Sequence, residues 1–174
     1  MNNIFKKYQY YILPISLILV LSFSRLIPHP WNFTPILATG IFSGFYFKQI
    51  YLSSLIVITS MFIGDLFLGF HSTMLFTYIS LIVGVLLGFN IKKFNYSEIL
   101  FSGLAASISF FIITNFGAWA TLAIYEKNLA GLFQSYVLAI PFFHNTLIST
   151  LLYLFVIKQI FNIINKTKII KNSF

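Results

Sequence analysis

The side chains that could carry chemistry in this chain lie near the ends of its apolar segments. The stretch RLIPHPWNFTP, residues 25–35, holds the only arginine, three of the five prolines and one of the three histidines. The only aspartate, Asp65, precedes His71 by six residues at the end of another apolar segment. Imidazole, carboxylate and amide groups can bind a metal, transfer protons or hydrogen-bond a small ligand. The candidate ligand-binding residues are Arg25, His29, Asn32, Asp65, His71, Asn115, Trp119, His144 and Asn145.

Several enzyme classes are excluded by what the sequence lacks. Without cysteine there can be no disulfide, no thiolate metal site and no cysteine nucleophile. No two histidines have the i, i+4 spacing of the zinc-binding helix motif, so the sequence leaves any bound metal or cofactor unknown. It also has no glycine-rich ATP-binding loop, so a partner would have to supply any ATP hydrolysis.

The composition is that of an integral membrane protein. The chain has 174 residues, of which 59% are hydrophobic and only 8% are charged. Its mean hydropathy is +0.90, well above what a soluble domain can carry. The net charge of +8 does not indicate nucleic-acid binding, because the basic residues flank apolar runs instead of forming one basic face.

The apolar segments predict an all-α fold, a polytopic membrane helix bundle that forms a single domain over residues 1–174. A membrane-crossing helix needs about 20 apolar residues. Six segments come near this length: 8–25, 34–48, 50–70, 73–90, 98–121 and 141–164. The first lacks a small-residue cleavage site and is expected to be retained. The stretch 128–140 is expected to lie along the membrane interface, with Pro141 in the first turn of the last helix.

The distribution of lysine and arginine predicts the orientation of this bundle. In the six-helix arrangement, Arg25 and Lys127 fall on one side of the membrane. The other side collects Lys6, Lys7, Lys48, Lys92, Lys93, Lys158, Lys166, Lys168 and Lys171. Cytoplasmic loops retain positive charge, so both termini are expected in the cytoplasm and the protein in the inner membrane. The candidate residues then lie in one layer on the extracytoplasmic side.

Asp65 needs a partner or water, because an ionised carboxylate costs about 2.5–3.5 kcal/mol at the centre of a membrane helix. Arg25 is the expected partner, since it is the only strong cation at a similar depth. Two compatible interpretations follow. The pair could tie the first helix to the third, or the carboxylate could face a ligand cavity.

The prolines of residues 25–35 predict a stiff, non-helical loop, because each fixes its own backbone and holds the preceding residue extended. Thr34 is expected to cap the second helix, with Pro35 at its first position. Such a loop would act as the rim of a cavity. The tryptophans suit either an aromatic belt or cavity walls. Two glycine pairs, Gly40 with Gly44 and Gly84 with Gly88, favour tight packing within one bundle over a dimer interface.

The chain resembles a bacterial family of small, functionally uncharacterised integral membrane proteins. The stretches that carry this resemblance are residues 25–35, DLFLGFH at 65–71, TNFG at 114–117 and AIPFF with NT at 139–146. In size, six-helix topology and polar outer layer it also resembles, more loosely, the substrate-binding components of energy-coupling factor vitamin transporters. That resemblance implies capture of a vitamin-like solute or metal ion and a partner module that supplies energy. Helix one lacks the Ala-x-x-x-Ala motif through which those components couple to the module.

Three functions are compatible with these observations. The first, which we favour over an enzyme, is small-solute binding or uptake at the extracytoplasmic face. The second is a membrane-embedded enzyme that uses the histidines and Asp65 on a lipid-linked substrate. The third is a membrane assembly or scaffold subunit. Membrane lipid is an expected partner in each case.

Overall fold

The structure, a computed structural model, describes the backbone of residues 2–172 and the side chains of residues 12–166. The elements it describes are all helical, which confirms the predicted all-α class. They are α1 (Asn2–Leu26), α2 (Ile36–Phe47), α3 (Ile50–Leu68), α4 (Met74–Asn90), α5 (Tyr96–Thr121) and α6 (Leu129–Asn172).

Short connections make consecutive helices from α2 to α6 run in alternating directions. They place residues 27–35, 69–73 and 122–128 at one end of the bundle, which we call the proline-loop end. Lys48, Gln49 and residues 91–95 lie at the opposite end, which we call the lysine end. Helix α1 packs against α3, whereas α2 contacts α3, α4, α5 and α6.

Helix α2 lies at the centre of the bundle and is short. Its 12 residues include eight that are buried. At about 1.5 Å per residue it is about 18 Å long, roughly 10 Å shorter than the 19-residue α3. Because α2 and α3 meet at Lys48 and Gln49, the start of α2 lies well below the far end of α3. This difference leaves room above α2 for residues 27–35.

Glycine permits α2 and α4 to touch backbone to backbone. A Cβ atom on Gly44 would lie 2.2 Å from the Val85 carbonyl oxygen, and one on Gly88 would lie 1.9 Å from the Ile41 carbonyl oxygen. Real Cβ atoms do not approach other atoms so closely. One glycine of each pair therefore packs α2 against α4 within one bundle, in agreement with the packing that the sequence predicts.

Three helices are long and apolar enough to cross a membrane. They are Ile50–Leu68, Tyr96–Thr121 and Leu129–Lys166, and the described part of the chain also has shorter apolar helices at Ile12–Leu26, Ile36–Phe47 and Met74–Asn90. These helices give the protein its membrane character, while six crossings and cytoplasmic termini stay predictions. Four lysines behind the predicted orientation, Lys6, Lys7, Lys168 and Lys171, lie outside the residues whose side chains are described.

The last helix differs from the prediction. Helix α6 runs without a break from Leu129 to Asn172, so residues 129–140 form its first turns and Pro141 lies inside it. Asn128 caps the helix, since its side-chain oxygen accepts a hydrogen bond of 2.9 Å from the Gly131 N–H. Proline removes one backbone hydrogen bond, which packing along α5 offsets. The predicted start of the last helix at Pro141 is therefore wrong, while an interfacial position of residues 128–140 stays a prediction.

The lysine end is closed by aromatic side chains and by Lys48. Its ammonium group donates to the carbonyl oxygens of Phe89, at 2.7 Å, and Ile91, at 2.5 Å. These carbonyls lie at the end of α4, where a cation is favoured by the helix dipole. Beside them four phenylalanine rings pack together: Phe42, Phe45, Phe94 and Phe161.

Replacing Lys48 with methionine should remove this cap while keeping the apolar stem. We expect the free energy of unfolding to fall by about 1 kcal/mol, because two charge-assisted hydrogen bonds are lost at a partly solvated site. Unfolding in a detergent titration followed by circular dichroism measures the change. Lys93→Met, at an exposed lysine of the same end, is the matched control. An equal loss in both variants would contradict the capping role.

Candidate functional site

A cavity of about 880 Å³ lies at the proline-loop end of the bundle. Its walls come from the end of α1, residues 27–34, the start of α2, the ends of α3 and α5, the start of α4 and the middle of α6. Its volume is within the range typical of small-molecule sites, about 300–1,000 Å³.

The wall between α1 and α3 is formed by an ion pair. Nη2 of Arg25 lies 2.8 Å from Oδ1 of Asp65, as the sequence predicts. The Asp65 side chain is 1% exposed and that of Arg25 is 12% exposed. The Tyr78 hydroxyl on α4 donates to Oδ2 of Asp65 at 2.8 Å. The carboxylate thus joins three helices, and its charge is balanced where water has little access.

The local sequence of α3 makes room for the Arg25 guanidinium. Nη1 donates to the Met61 carbonyl at 2.7 Å, and a Cβ atom on Gly64 would lie 2.3 Å from the same nitrogen. Residues 61, 64 and 65 share one face of the helix, at i, i+3 and i+4 spacing. A second contact lies one turn earlier on α1, where the Ser22 hydroxyl donates to the Ser60 carbonyl at 3.2 Å.

The proline loop is fixed against α6 at the rim of the cavity. The Asn145 amide donates to the Trp31 carbonyl at 3.0 Å, and the Ser149 hydroxyl donates to the Asn32 carbonyl at 3.4 Å. Asn32 has a φ of 62°, a left-handed conformation that asparagine adopts more readily than most residues. Nδ1 of His29 donates to the Pro30 carbonyl at 2.8 Å. The rigid loop expected from the prolines is thus held by side chains of another helix.

Six of the nine candidate residues line the cavity. They are Arg25, His29, Asn32, Asp65, His71 and Asn115. They come from three separate stretches of the sequence, residues 25–32, 65–71 and 115, so the fold brings together what the sequence separates. Whether each side chain contacts a ligand stays a prediction.

The other three candidates do not line this cavity. Trp119 donates from its indole to the Glu126 carbonyl at 3.0 Å, and Lys127 donates to the Trp119 carbonyl, which folds the turn between α5 and α6. His144 is exposed on α6. Asn145 acts on the cavity through the loop that it holds.

The histidines are dispersed. His29 and His71 occur in different loops, and His71 is hydrogen-bonded to the Thr73 hydroxyl at 2.8 Å. Among the described residues no three histidine or acidic side chains come close enough to hold a metal ion. The version of the enzyme hypothesis in which the histidines and Asp65 together hold a metal ion therefore has no geometric support in this part of the chain.

A set of hydroxyl groups in the cavity wall was not predicted from the sequence. They belong to Thr77 on α4, Thr114 on α5, and Thr146, Ser149 and Thr150 on α6. The available signal was the i, i+3 and i+4 spacing of the last three, which places them on one helix face. Serine and threonine are common in membrane helices, so this signal is weak in a single sequence.

The start of α2 contributes Ile36 and Leu37 to the cavity wall, and we call this part of the wall the floor. Pro35 occupies the N-cap position, and no side chain caps the helix. The predicted cap by Thr34 is therefore wrong, since the helix begins one residue later than expected. The first intrahelical bond runs from the Thr39 N–H to the Pro35 carbonyl, at 2.9 Å. The N–H groups of residues 36–38 precede it and need other partners.

Comparison with known proteins assigns the chain to a family. No curated protein and no solved structure shows significant similarity to it. Residues 5–172 match a family of unknown function, DUF6580, and this range covers nearly the whole sequence. The chain therefore belongs to the DUF6580 family.

Proposed function

We propose that this membrane protein captures a small solute in the cavity at its proline-loop end. The observation that carries the proposal is the cavity of about 880 Å³, in which a buried Arg25–Asp65 pair and several hydroxyl groups converge between apolar helices. Small-molecule sites typically combine apolar walls with a few well-positioned polar groups. The lysine distribution supports an extracytoplasmic location for this end.

Each part of the wall has a role in this proposal. The ion pair keeps two hydrogen-bonding groups in a fixed position, because Arg25 is held at both Met61 and Asp65. The proline loop forms the rim and is fixed on α6. The aromatic cluster at the lysine end closes the opposite end of the bundle. A solute would therefore enter and leave on the proline-loop side.

Uptake across the membrane would require more than this chain. The sequence has no ATP-binding loop, so transport by an ATP-driven route needs an energising partner. The resemblance to the substrate-binding components of energy-coupling factor transporters supports solute capture, whereas helix one lacks the Ala-x-x-x-Ala motif through which those components couple to an energising module. A bacterial inner membrane is the location that this function implies.

Native mass spectrometry of gently purified protein tests the proposal. A tryptophan at Thr114 should obstruct the cavity beside α5, and one at Ile112 on the same helix should project from the bundle, because Ile112 is 50% exposed. We expect a defined small-molecule or metal adduct in the wild type and in Ile112→Trp. The adduct should be absent from Thr114→Trp.

The reverse results would count against solute capture. An unliganded mass in the wild type, repeated after incubation with a membrane-free cell extract, would show that the cavity retains nothing. An adduct that survives in Thr114→Trp would place its site elsewhere. Thermal unfolding of the three proteins shows whether a lost adduct reflects a filled cavity or a disrupted fold.

A further inference from the structure

The start of α2 is electropositive and faces the cavity. A helix N-terminus carries about half of an elementary positive charge and several N–H groups without intrahelical partners. Here Ile36 and Leu37 are buried and line the cavity, while Pro35 at the cap position contributes no N–H and no side-chain cap is formed. The N–H groups of residues 36–38, which precede the first intrahelical bond, thus lie at a buried helix end in the cavity wall.

A second, independent group points to the same ligand chemistry. Thr150 on α6 lines the cavity, has a relative exposure of 0%, and its hydroxyl has no hydrogen-bond partner among the described residues. Threonine in a helix ordinarily donates to the carbonyl one turn earlier. Thr114 and Thr146 do so, at 2.7 and 3.0 Å. Thr150 differs from them, because its buried hydroxyl has an unpaired proton in a residue of the cavity wall.

We infer that the cavity floor binds the carboxylate of an organic acid, through the N-terminus of α2 and the Thr150 hydroxyl. This inference rests on the proposed solute capture and specifies the class of the solute. All of these groups are hydrogen-bond donors, which suits an acceptor such as a carboxylate. Helix α2 supplies one side of the site and α6 supplies the other. The helices that carry them are in direct contact, and Ser149, next to Thr150, reaches the loop residue Asn32.

The charge balance favours a singly charged group. The only full positive charge in the cavity wall outside the histidines is that of Arg25, and Asp65 neutralises it. What is left is the partial charge of the α2 terminus, which matches one negative charge better than two. A doubly charged phosphate would be left mostly uncompensated in a site of low polarity. Apolar side chains such as Leu26, Met61 and Phe110 also line the cavity and suit the carbon skeleton of the acid.

A pair of probes that differ in charge tests the inference. Benzoate and benzamide have the same ring, but only benzoate carries a carboxylate. Trp31 lines the cavity, and Trp119→Phe leaves it as the sole tryptophan, so its fluorescence reports binding. In that background we expect benzoate to bind at least tenfold more tightly than benzamide. Thr150→Val should weaken benzoate binding about tenfold and leave benzamide binding unchanged.

Ser107→Ala is the matched control. Ser107 is also fully buried with an unpartnered hydroxyl, but it does not line the cavity. We expect it to change benzoate binding less than twofold.

Equal affinity for the two probes, no binding of benzoate, or an equal effect of both variants would overturn the inference. A neutral adduct in native mass spectrometry that Thr114→Trp removes would preserve solute capture while the carboxylate inference fails. An unliganded mass would reject both.

Discussion

Replacing Arg25 with alanine is expected to lower the free energy of unfolding by about 3–5 kcal/mol, the range found when one partner of a buried ion pair is removed. The reason is that Asp65 is 1% exposed, so the loss of Arg25 leaves a buried carboxyl group without its ionic partner. The same change removes the hydrogen bond to the Met61 carbonyl. Because α1 packs against α3, it should also loosen the first helix. Detergent-induced unfolding followed by circular dichroism measures the effect.

A double variant separates the ion pair from the packing of α1. Arg25→Met with Asp65→Leu replaces both charges by apolar side chains, which is often neutral for buried pairs. We expect it to recover most of the stability lost in Arg25→Ala. Wild-type stability in the single variant would contradict a structural role for the pair. If the double variant is as unstable as the single one, the hydrogen bonds to Met61 and Tyr78 dominate instead.

The ion pair connects stability to the proposed site. Arg25 and Asp65 both line the cavity, so the pair that ties α1 to α3 is also part of the cavity wall. Any change at Asp65 therefore disturbs the attachment of α1 as well as the proposed binding site. For this reason Thr114→Trp is a cleaner test of the proposed binding than Asp65→Asn.

Some contacts could be predicted from the sequence because the chain offers few alternatives. It has one arginine and one aspartate, and the cost of an unpaired charge in a membrane requires that they meet. The glycine pairs were predictable for a similar reason, since a spacing of four aligns small residues on one helix face. In both cases a physical requirement selects the partner without knowledge of the fold.

Other features depend on tertiary packing that a single sequence does not contain. Pro141 indicated a helix start, but Asn128 caps the helix 13 residues earlier and α5 supports it throughout. The longer helix also fixes which side chains face inward. Thr146, Ser149 and Thr150 are buried, whereas His144 and Ile148, one turn apart, are exposed. Residue type alone therefore made His144 a candidate for ligand binding, whereas the orientation of α6 places Thr150 in the cavity wall.

Replacing Gly88 with alanine should have an effect comparable to the loss of the ion pair. Its Cβ atom would lie 1.9 Å from the Ile41 carbonyl oxygen and 2.8 Å from the Ile41 Cα atom, both of which are backbone. No side-chain rotation relieves this clash, so α2 and α4 must separate. We expect a loss of about 3 kcal/mol or more in the free energy of unfolding, at or above the upper end for overpacked cores.

The same substitution at Gly40 provides the control. There the nearest atom to an added Cβ is Val57 Cγ1 at 3.4 Å, and the next two contacts are at 3.7 Å, so alanine fits. Since alanine also has the higher helix propensity, by about 1 kcal/mol, Gly40→Ala should equal or slightly exceed wild-type stability. Gly44→Ala, with its contact of 2.2 Å to the Val85 carbonyl, should behave like Gly88→Ala. Equal stability of Gly40→Ala and Gly88→Ala would contradict the backbone contact between α2 and α4.

If the contact is present, Gly88→Ala should also displace the start of α2 and thereby abolish the proposed ligand binding at the cavity floor.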